Sequence, residues 1–171
     1  VLMFGMETMS EAVKPLAEVE AFTNLFVLFS NPIIGVLVGI FVTAAVQSSS
    51  ASIGILQALT VTGSVNMASA IPIIMGQNIG TCVTAIMGAI GANKNARRTA
   101  MVHLYFNLTG SLIFMVLFYG IGLVHPWKFL ADPCNEMSIA VIHTAFNVGA
   151  TAMLLPMNKV LVKLATLSVP D

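Results

Sequence analysis

The chain has 171 residues, seven of them basic and seven acidic, for a formal net charge of zero. Hydrophobic residues make up 57% and charged residues 8%, against roughly 25% charged in soluble domains, and the mean hydropathy is +0.94. These values exclude an ordinary soluble domain and, with no basic excess, a nucleic-acid partner. They point to an all-α membrane protein surrounded by a lipid bilayer. Thirteen Gly and seven Pro within apolar sequence fit broken membrane helices better than a soluble bundle.

The sequence reads as a single membrane domain over 1–171, in three parts: 1–31, 32–92 and 93–171. Val1 to about Pro15 is apolar, with Glu7, Glu11 and Lys14 interspersed, and reads as a membrane-helix end or an interfacial helix. Glu18 to Ser30 mixes acids with Phe22, Phe26 and Phe29, the pattern of an amphipathic surface segment. The start Val1-Leu2-Met3-Phe4 lacks the basic region and cleavage site of a signal peptide. The chain is expected to begin inside an element, as a fragment of a longer one.

Asn31-Pro32 opens the second part, Pro suiting the first helical position. Ile33–Val46 is uncharged and, at 14 residues, about 21 Å long as a helix. That is too short for a hydrocarbon core of about 30 Å. It runs into Gln47-Ser48-Ser49-Ser50 and then a second short apolar stretch to about Val61. Four consecutive polar residues cover every face of a helix. The pattern therefore predicts a re-entrant hairpin rather than one tilted helix with serines on a packing face. After a turn-rich connection over 62–69, apolar Ile71–Met75 and Val83–Ile90 flank the Gly-rich polar run Gly76–Thr81. This second short–polar–short pattern predicts a discontinuous transmembrane helix, broken near 76–80.

In the third part, the basic loop Asn93–Arg98 precedes a full span, Thr99–Val124, of 26 residues without a formal charge when His103 is neutral. A loop over His125–Met137, a last span over Ser138–Met157 and a polar tail with Lys159 and Lys163 follow. Three basic residues at 94–98 and two in the tail, against Lys14 and Lys128, place loop 93–98 and the C-terminal tail in the cytoplasm of a multi-pass plasma-membrane protein.

Polar groups at membrane depth are costly unless they satisfy one another or line a wet cavity, and they mark functional sites. The N-terminus of a half-helix presents unpaired N–H groups with partial positive charge. Ser48, Ser49 and Ser50 at such an end can hold an oxyanion such as phosphate or sulfate. Gln47, Asn78 and Thr81 offer amide and hydroxyl oxygens suited to Na⁺. No catalytic residue and no organic cofactor is expected. His103 and Asn107 lie four apart on one helical face, and His143 and Asn147 repeat the spacing, with Phe106 and Phe146 before each Asn. No carboxylate or Cys joins either His, so both are expected to be structural polar pairs bonding helix to helix. Cys82 and Cys134 fall at different depths, which argues against a mutual disulfide, and the 11 Met read as packing residues.

Gln47-Ser48-Ser49-Ser50-Ala51, together with Gly76-Gln77-Asn78-Ile79-Gly80-Thr81, resembles the paired signatures of the sodium/phosphate cotransporter family. Phe4-Gly5-Met6 with Met9-Ser10-Glu11 resembles the family's repeat start. Gly91 to Phe106, with Asn95-Ala96-Arg97-Arg98 and His103, is similar to its bacterial members. The resemblance runs from residue 4 to about 157. It implies two inverted repeats, each with one Gln-Ser-Ser-Ser motif, and a substrate site between them. This sequence has a single such motif and resembles the second repeat plus the two spans after it. It is thus expected to be one half of an inverted-repeat transporter, partnered by a missing first repeat or by a second copy. Gln77 departs from the small Ala or Ser usual in the motif, and Cys82 from the usual Thr. The implied function is transport of inorganic phosphate with Na⁺ as the coupling ion. In that reading Ser48, Ser49 and Ser50 hold phosphate, while Gln47, Asn78 and Thr81 hold Na⁺.

Two other readings compete. An intramembrane serine hydrolase would pair a serine of 48–50 with His103 or His143, but no Gly-x-Ser-x-Gly elbow is present. A non-transporting assembly module would tolerate Ala or Leu throughout 47–50.

Overall fold

Four asparagines start four of the helices. The side-chain oxygens of Asn31, Asn66, Asn93 and Asn135 accept backbone N–H groups of the first turn, from Ile33 at 3.0 Å, Ser69 at 3.0 Å, Ala96 at 2.9 Å and Ser138 at 2.8 Å. The structure, a computed structural model, describes residues 2–13, 15, 18–20, 24 and 28–170. Lys14, Phe22 and Phe26, and with them much of the segment read as amphipathic, lie outside the described residues.

The described elements are helical: α1 (Leu2–Val13), α2 (Pro32–Val46), α3 (Ser49–Thr60), α4 (Met67–Gly80), α5 (Cys82–Gly88), α6 (Lys94–Val124), α7 (Glu136–Leu154) and α8 (Asn158–Ser168), with short 3-10 turns at Lys128–Ala131 and Leu155–Met157. Three helical stretches are long and apolar enough to cross a membrane: Met67–Gly88, Lys94–Val124 and Glu136–Ser168. The chain is therefore an all-α membrane protein.

Helix α4 is the central element, with all but one residue from Ser69 to Gly80 buried. Its main partner is α2, which runs parallel to it at backbone contact. Gly35, Gly39 and Thr43 on α2 face Pro72, Gly76 and Gly80 on α4. A Cβ added at Gly39 would stand 2.1 Å from the Ile73 carbonyl oxygen, and one added at Gly76 would stand 2.1 Å from that of Val36. Small residues four apart on both helices let the two backbones meet, as in small-xxx-small packing between membrane helices.

The chain reverses between α2 and α3. Gln47 takes a left-handed conformation, φ 56°, and Ser48 is extended. Helix α3 then returns antiparallel along α4, with Ser52 against Gln77, Leu56 in one core cluster with Ile73 and Ile74, and the Gln57 amide donating to the Glu136 carbonyl at 3.1 Å. The outer ends of α2 and α3 thus lie at the same end of the bundle as residues 62–66. That end is tied to the loop before α7, through Met67 N to Asp132 O at 3.1 Å and Cys134 N to Val65 O at 2.9 Å. Phe118, Trp127 and Phe129 cluster there, with Trp127 stacked on Phe118 at 5.4 Å and its indole N–H bonded to the Phe118 carbonyl. Aromatic clusters of this kind suit a membrane–water boundary.

Three expectations are corrected. No break forms near 76–80: α4 is continuous through Gly76 and Gly80, and Thr81 keeps a helical backbone with its N–H on the Gln77 carbonyl at 3.1 Å. Those glycines serve close packing against α2, not chain reversal. The basic loop is mostly helix, since Asn93 caps α6 and Lys94, Arg97 and Arg98 fall in its first turns. The polar tail is amphipathic helix α8, with Leu161 and Ala165 buried, Lys159 and Lys163 exposed, and α6 as its neighbour. The Arg98 guanidinium reaches the Val169 carbonyl at 3.0 Å, so the start of α6 and the end of α8 share one end of the bundle.

Both cysteines are free and buried. Cys134, in the loop before α7, lies 3.3 Å from the Met67 sulfur, and burial pushes its thiol up to about 11 from an ordinary 9.0. Below pH 9 it is neutral whether the protein is folded or unfolded. Between 9 and about 11 only the unfolded chain ionises it, so the folded state loses stability as pH rises through that window. Iodoacetamide at pH 8 is expected to leave Cys134 unmodified in folded protein and to label it after unfolding in SDS. Equal labelling in both states, read by mass spectrometry, would contradict this burial.

Candidate functional site

The chain reversal opens onto a cavity of about 530 Å³. Gln47, Ser48 and Ser49 line it from the reversal, Asn78 from α4, and Thr81 and Thr84 from the start of α5. The far wall is His103, Phe106 and Asn107 on α6 with His143 and Asn147 on α7. None of the lining residues is Asp, Glu, Lys or Arg. Among the described residues there is no group of three His, Cys, Asp or Glu suited to a metal.

Local geometry sets what each group can offer. Ser48 is the N-cap of α3, its Oγ accepting the Ala51 N–H at 3.3 Å. The first-turn N–H groups of Ser49 and Ser50 therefore have no partner within the helix. The Ser50 hydroxyl is not in the cavity wall; it lies 3.3 Å from Ser48 Oγ on an exposed surface. Of the three serines, the structure brings Ser48 and Ser49 to the cavity and leaves Ser50 behind them.

The amides and the threonine present oxygen. Asn78 uses its Nδ2 on the Ile74 carbonyl at 2.9 Å, and Gln47 turns its Nε2 toward the Met87 sulfur at 3.9 Å. Thr81 donates its hydroxyl to the Asn78 carbonyl. In each case the donor is engaged inside the protein and the acceptor oxygen is left for the cavity. The wall thus combines free N–H and hydroxyl donors at the α3 N-terminus with acceptor oxygens beside them, a pairing that suits an anion and a hard cation side by side.

A buried polar network holds the reversal in place. Thr43 and Ser52, both fully buried, share a 2.7 Å hydroxyl bond, and the Gln77 amide donates to the Ser52 carbonyl at 3.0 Å and hydroxyl at 2.9 Å. Sequence reasoning missed Thr43, Ser52 and Thr84. The available signal was spacing: Thr43 lies one helical turn before Gln47, and Thr84 three residues after Thr81.

The first His–Asn pair bonds to the neighbouring helix, Asn107 reaching the Cys82 thiol on α5 and the His103 carbonyl accepting from Cys82 Sγ at 3.5 Å. Asn107 and Asn147 each donate to the backbone carbonyl of the histidine four residues earlier, at 3.0 and 2.8 Å, and all four residues face the cavity.

Residues 1–131 match the family model described as Na⁺/Pi-cotransporter. The chain is 33% identical over 135 residues to the uncharacterized protein YqeW of Bacillus subtilis (strain 168), which covers 78% of this chain and 43% of that protein. It is 42% identical over 104 residues to the sodium-dependent phosphate transport protein 2A of Rattus norvegicus, covering 57% of this chain and 16% of the relative. The corresponding figures for protein 2B of Homo sapiens are 38% over 94 residues, 52% and 14%. The chain thus spans less than half the length of these relatives. No solved structure matches it. With the family model covering most of its length, this chain belongs to the Na⁺/Pi-cotransporter family.

Proposed function

We propose that the chain supplies one repeat of the substrate and ion site of a sodium-coupled inorganic phosphate transporter in the plasma membrane. The observation that carries this reading is the single cavity shared by Gln47, Ser48, Ser49, Asn78 and Thr81. Phosphate sits at the N-terminus of α3 on the Ser48 and Ser49 hydroxyls and the Ser49 and Ser50 N–H groups. Na⁺ takes the oxygens of Gln47, Asn78 and Thr81. The reversal at 47–48 is the tip of a re-entrant hairpin whose two ends face the exterior. Gln47 and Ser49 are exposed in the isolated chain, which fits a site closed by an inverted repeat, either the first half of a longer protein or a second copy. The family description and the names of relatives 2A and 2B, which are transport proteins, support transport over a hydrolase role for the serines.

The binding test is calorimetry on the complete transporter in detergent. Coupling between two ligands is reciprocal and typically about 5–150-fold. Phosphate affinity is expected to tighten by a factor in that range when Na⁺ replaces K⁺, and Na⁺ affinity by the same factor in phosphate. Asn78→Ala should weaken Na⁺ binding about tenfold, the scale of one lost oxygen ligand, while phosphate affinity at saturating Na⁺ stays near wild type. Phosphate binding indifferent to the cation would refute the coupling.

Orientation has its own test. The shared end formed by Asn93–Arg98 and α8 is cytoplasmic in this reading, and the loop 125–135 is exterior. A cysteine at Lys94 should react with an impermeant maleimide only after the membrane is permeabilised. Labelling of intact cells would invert the topology.

A further inference from the structure

We propose that His103 and His143 contact the transported oxyanion, making the repeated His-x-x-Phe-Asn segments of α6 and α7 the second wall of the binding site. This rests on the phosphate site proposed above. The two segments, 103–107 and 143–147, are the same motif on adjacent helices, and both turn their His and Asn into the cavity that holds Ser48 and Ser49. The phenylalanines diverge. Phe106 lines the cavity, whereas Phe146 is buried in the core, edge-on to Phe114 at 5.0 Å. The two segments thus share the orientation of His and Asn and differ in where the Phe points.

A purely structural role would show these side chains bonded across the bundle. Each Asn amide is tied back to its own helix, at 3.0 and 2.8 Å, and Asn107 also reaches the Cys82 thiol on α5, but among the described residues the imidazoles are not bonded across the bundle. Both imidazoles are half-buried, and among the described residues neither ring has a hydrogen-bond partner. They are also the only imidazoles in the cavity wall, which holds no Asp, Glu, Lys or Arg. Phosphate near neutral pH presents acceptor oxygens and at least one P–OH. A neutral imidazole offers one N–H donor and one nitrogen acceptor, which match both. The α3 N-terminus binds the anion from one side and supplies donors only through N–H and hydroxyl groups. The imidazoles close the opposite side and also accept a hydrogen bond from the P–OH.

The test is substituted-cysteine protection in the complete transporter, reconstituted in liposomes, with a water-soluble methanethiosulfonate as reagent. His103→Cys, His143→Cys and Ser49→Cys are compared, with the wild type as background for the buried Cys82 and Cys134. Saturating phosphate with Na⁺ is expected to slow modification at least tenfold at all three positions. Protection at Ser49→Cys without protection at either histidine position would overturn this inference and leave the phosphate site standing. Absence of protection at all three would overturn the phosphate site itself. His103→Gln and His143→Gln give a second measurement. Each should raise the phosphate KM about tenfold or more with maximal rate, melting temperature and Na⁺ activation unchanged. A fall in melting temperature and maximal rate at constant KM would instead mark the histidines as structural.

Discussion

Alanine at Gly39 or Gly76 is expected to disrupt the protein, whereas alanine at Gly54 is expected to be neutral or mildly stabilising. The contrast comes from where the new Cβ goes. At Gly39 and Gly76 it would stand 2.1 Å from a backbone carbonyl oxygen of the facing helix, but at Gly54 nothing lies within 4 Å. Overpacking a core by a methylene typically costs about 1–3 kcal/mol when side chains can adjust. Here the obstacle is backbone, so α2 and α4 would have to separate along their whole contact, and the cost should reach the upper end of that range or beyond. At Gly54 the gain in helix propensity, about 1 kcal/mol for Gly to Ala, acts unopposed. Fluorescence-detected size exclusion after a temperature ramp would read both. Gly76→Ala melting like wild type would show that the helices do not meet at backbone contact. The functional corollary is that the cavity, whose wall takes Asn78 from α4 and Gln47 from the residue that follows α2, should fail with the packing.

Loss of the two cavity-facing serines is expected to have the largest effect on binding. A hydrogen bond to a charged group contributes about 1.5–3 kcal/mol, so Ser49→Ala should weaken phosphate binding roughly ten- to a hundredfold. Ser48→Ala should do the same and also destabilise the reversal, because Ser48 Oγ caps α3 and losing an N-cap typically costs about 1 kcal/mol. A melting shift in Ser48→Ala but not Ser49→Ala would separate the two roles. Ser50→Ala should be the mildest of the three, its hydroxyl lying outside the cavity wall. Unchanged phosphate affinity in the Ser48→Ala, Ser49→Ala double variant would remove the assignment of the anion site.

How far the sequence was legible depends on whether a residue's role was local. The reversal at 47–48 could be read because a run of four polar residues leaves no apolar face for a continuous helix. The three spans followed from length and hydropathy in the same way. Gly76 and Gly80 were misread because glycine marks both chain breaks and close helix contacts. Only the facing Gly35 and Gly39, some forty residues away, decide between them. Spacing put His103 with Asn107 and His143 with Asn147 on single faces, but which faces turn to the cavity is a property of the assembled bundle. Ser50 was grouped with its neighbours, although Ser49 and Ser50, successive helical residues, point about 100° apart, and only Ser49 lines the cavity. Lys159 and Lys163 drew attention away from Leu161 and Ala165, whose four-residue spacing builds the buried stripe of α8.

The central claim is that this cavity couples phosphate to sodium. It is tested most directly by uptake of radiolabelled phosphate into proteoliposomes holding the complete transporter, with the Na⁺ gradient and the phosphate concentration varied independently. The account predicts concentrative uptake under an inward Na⁺ gradient, collapsing when K⁺ replaces Na⁺ and when Ser48 and Ser49 are both alanine. Uptake that proceeds equally with and without the Na⁺ gradient would contradict it.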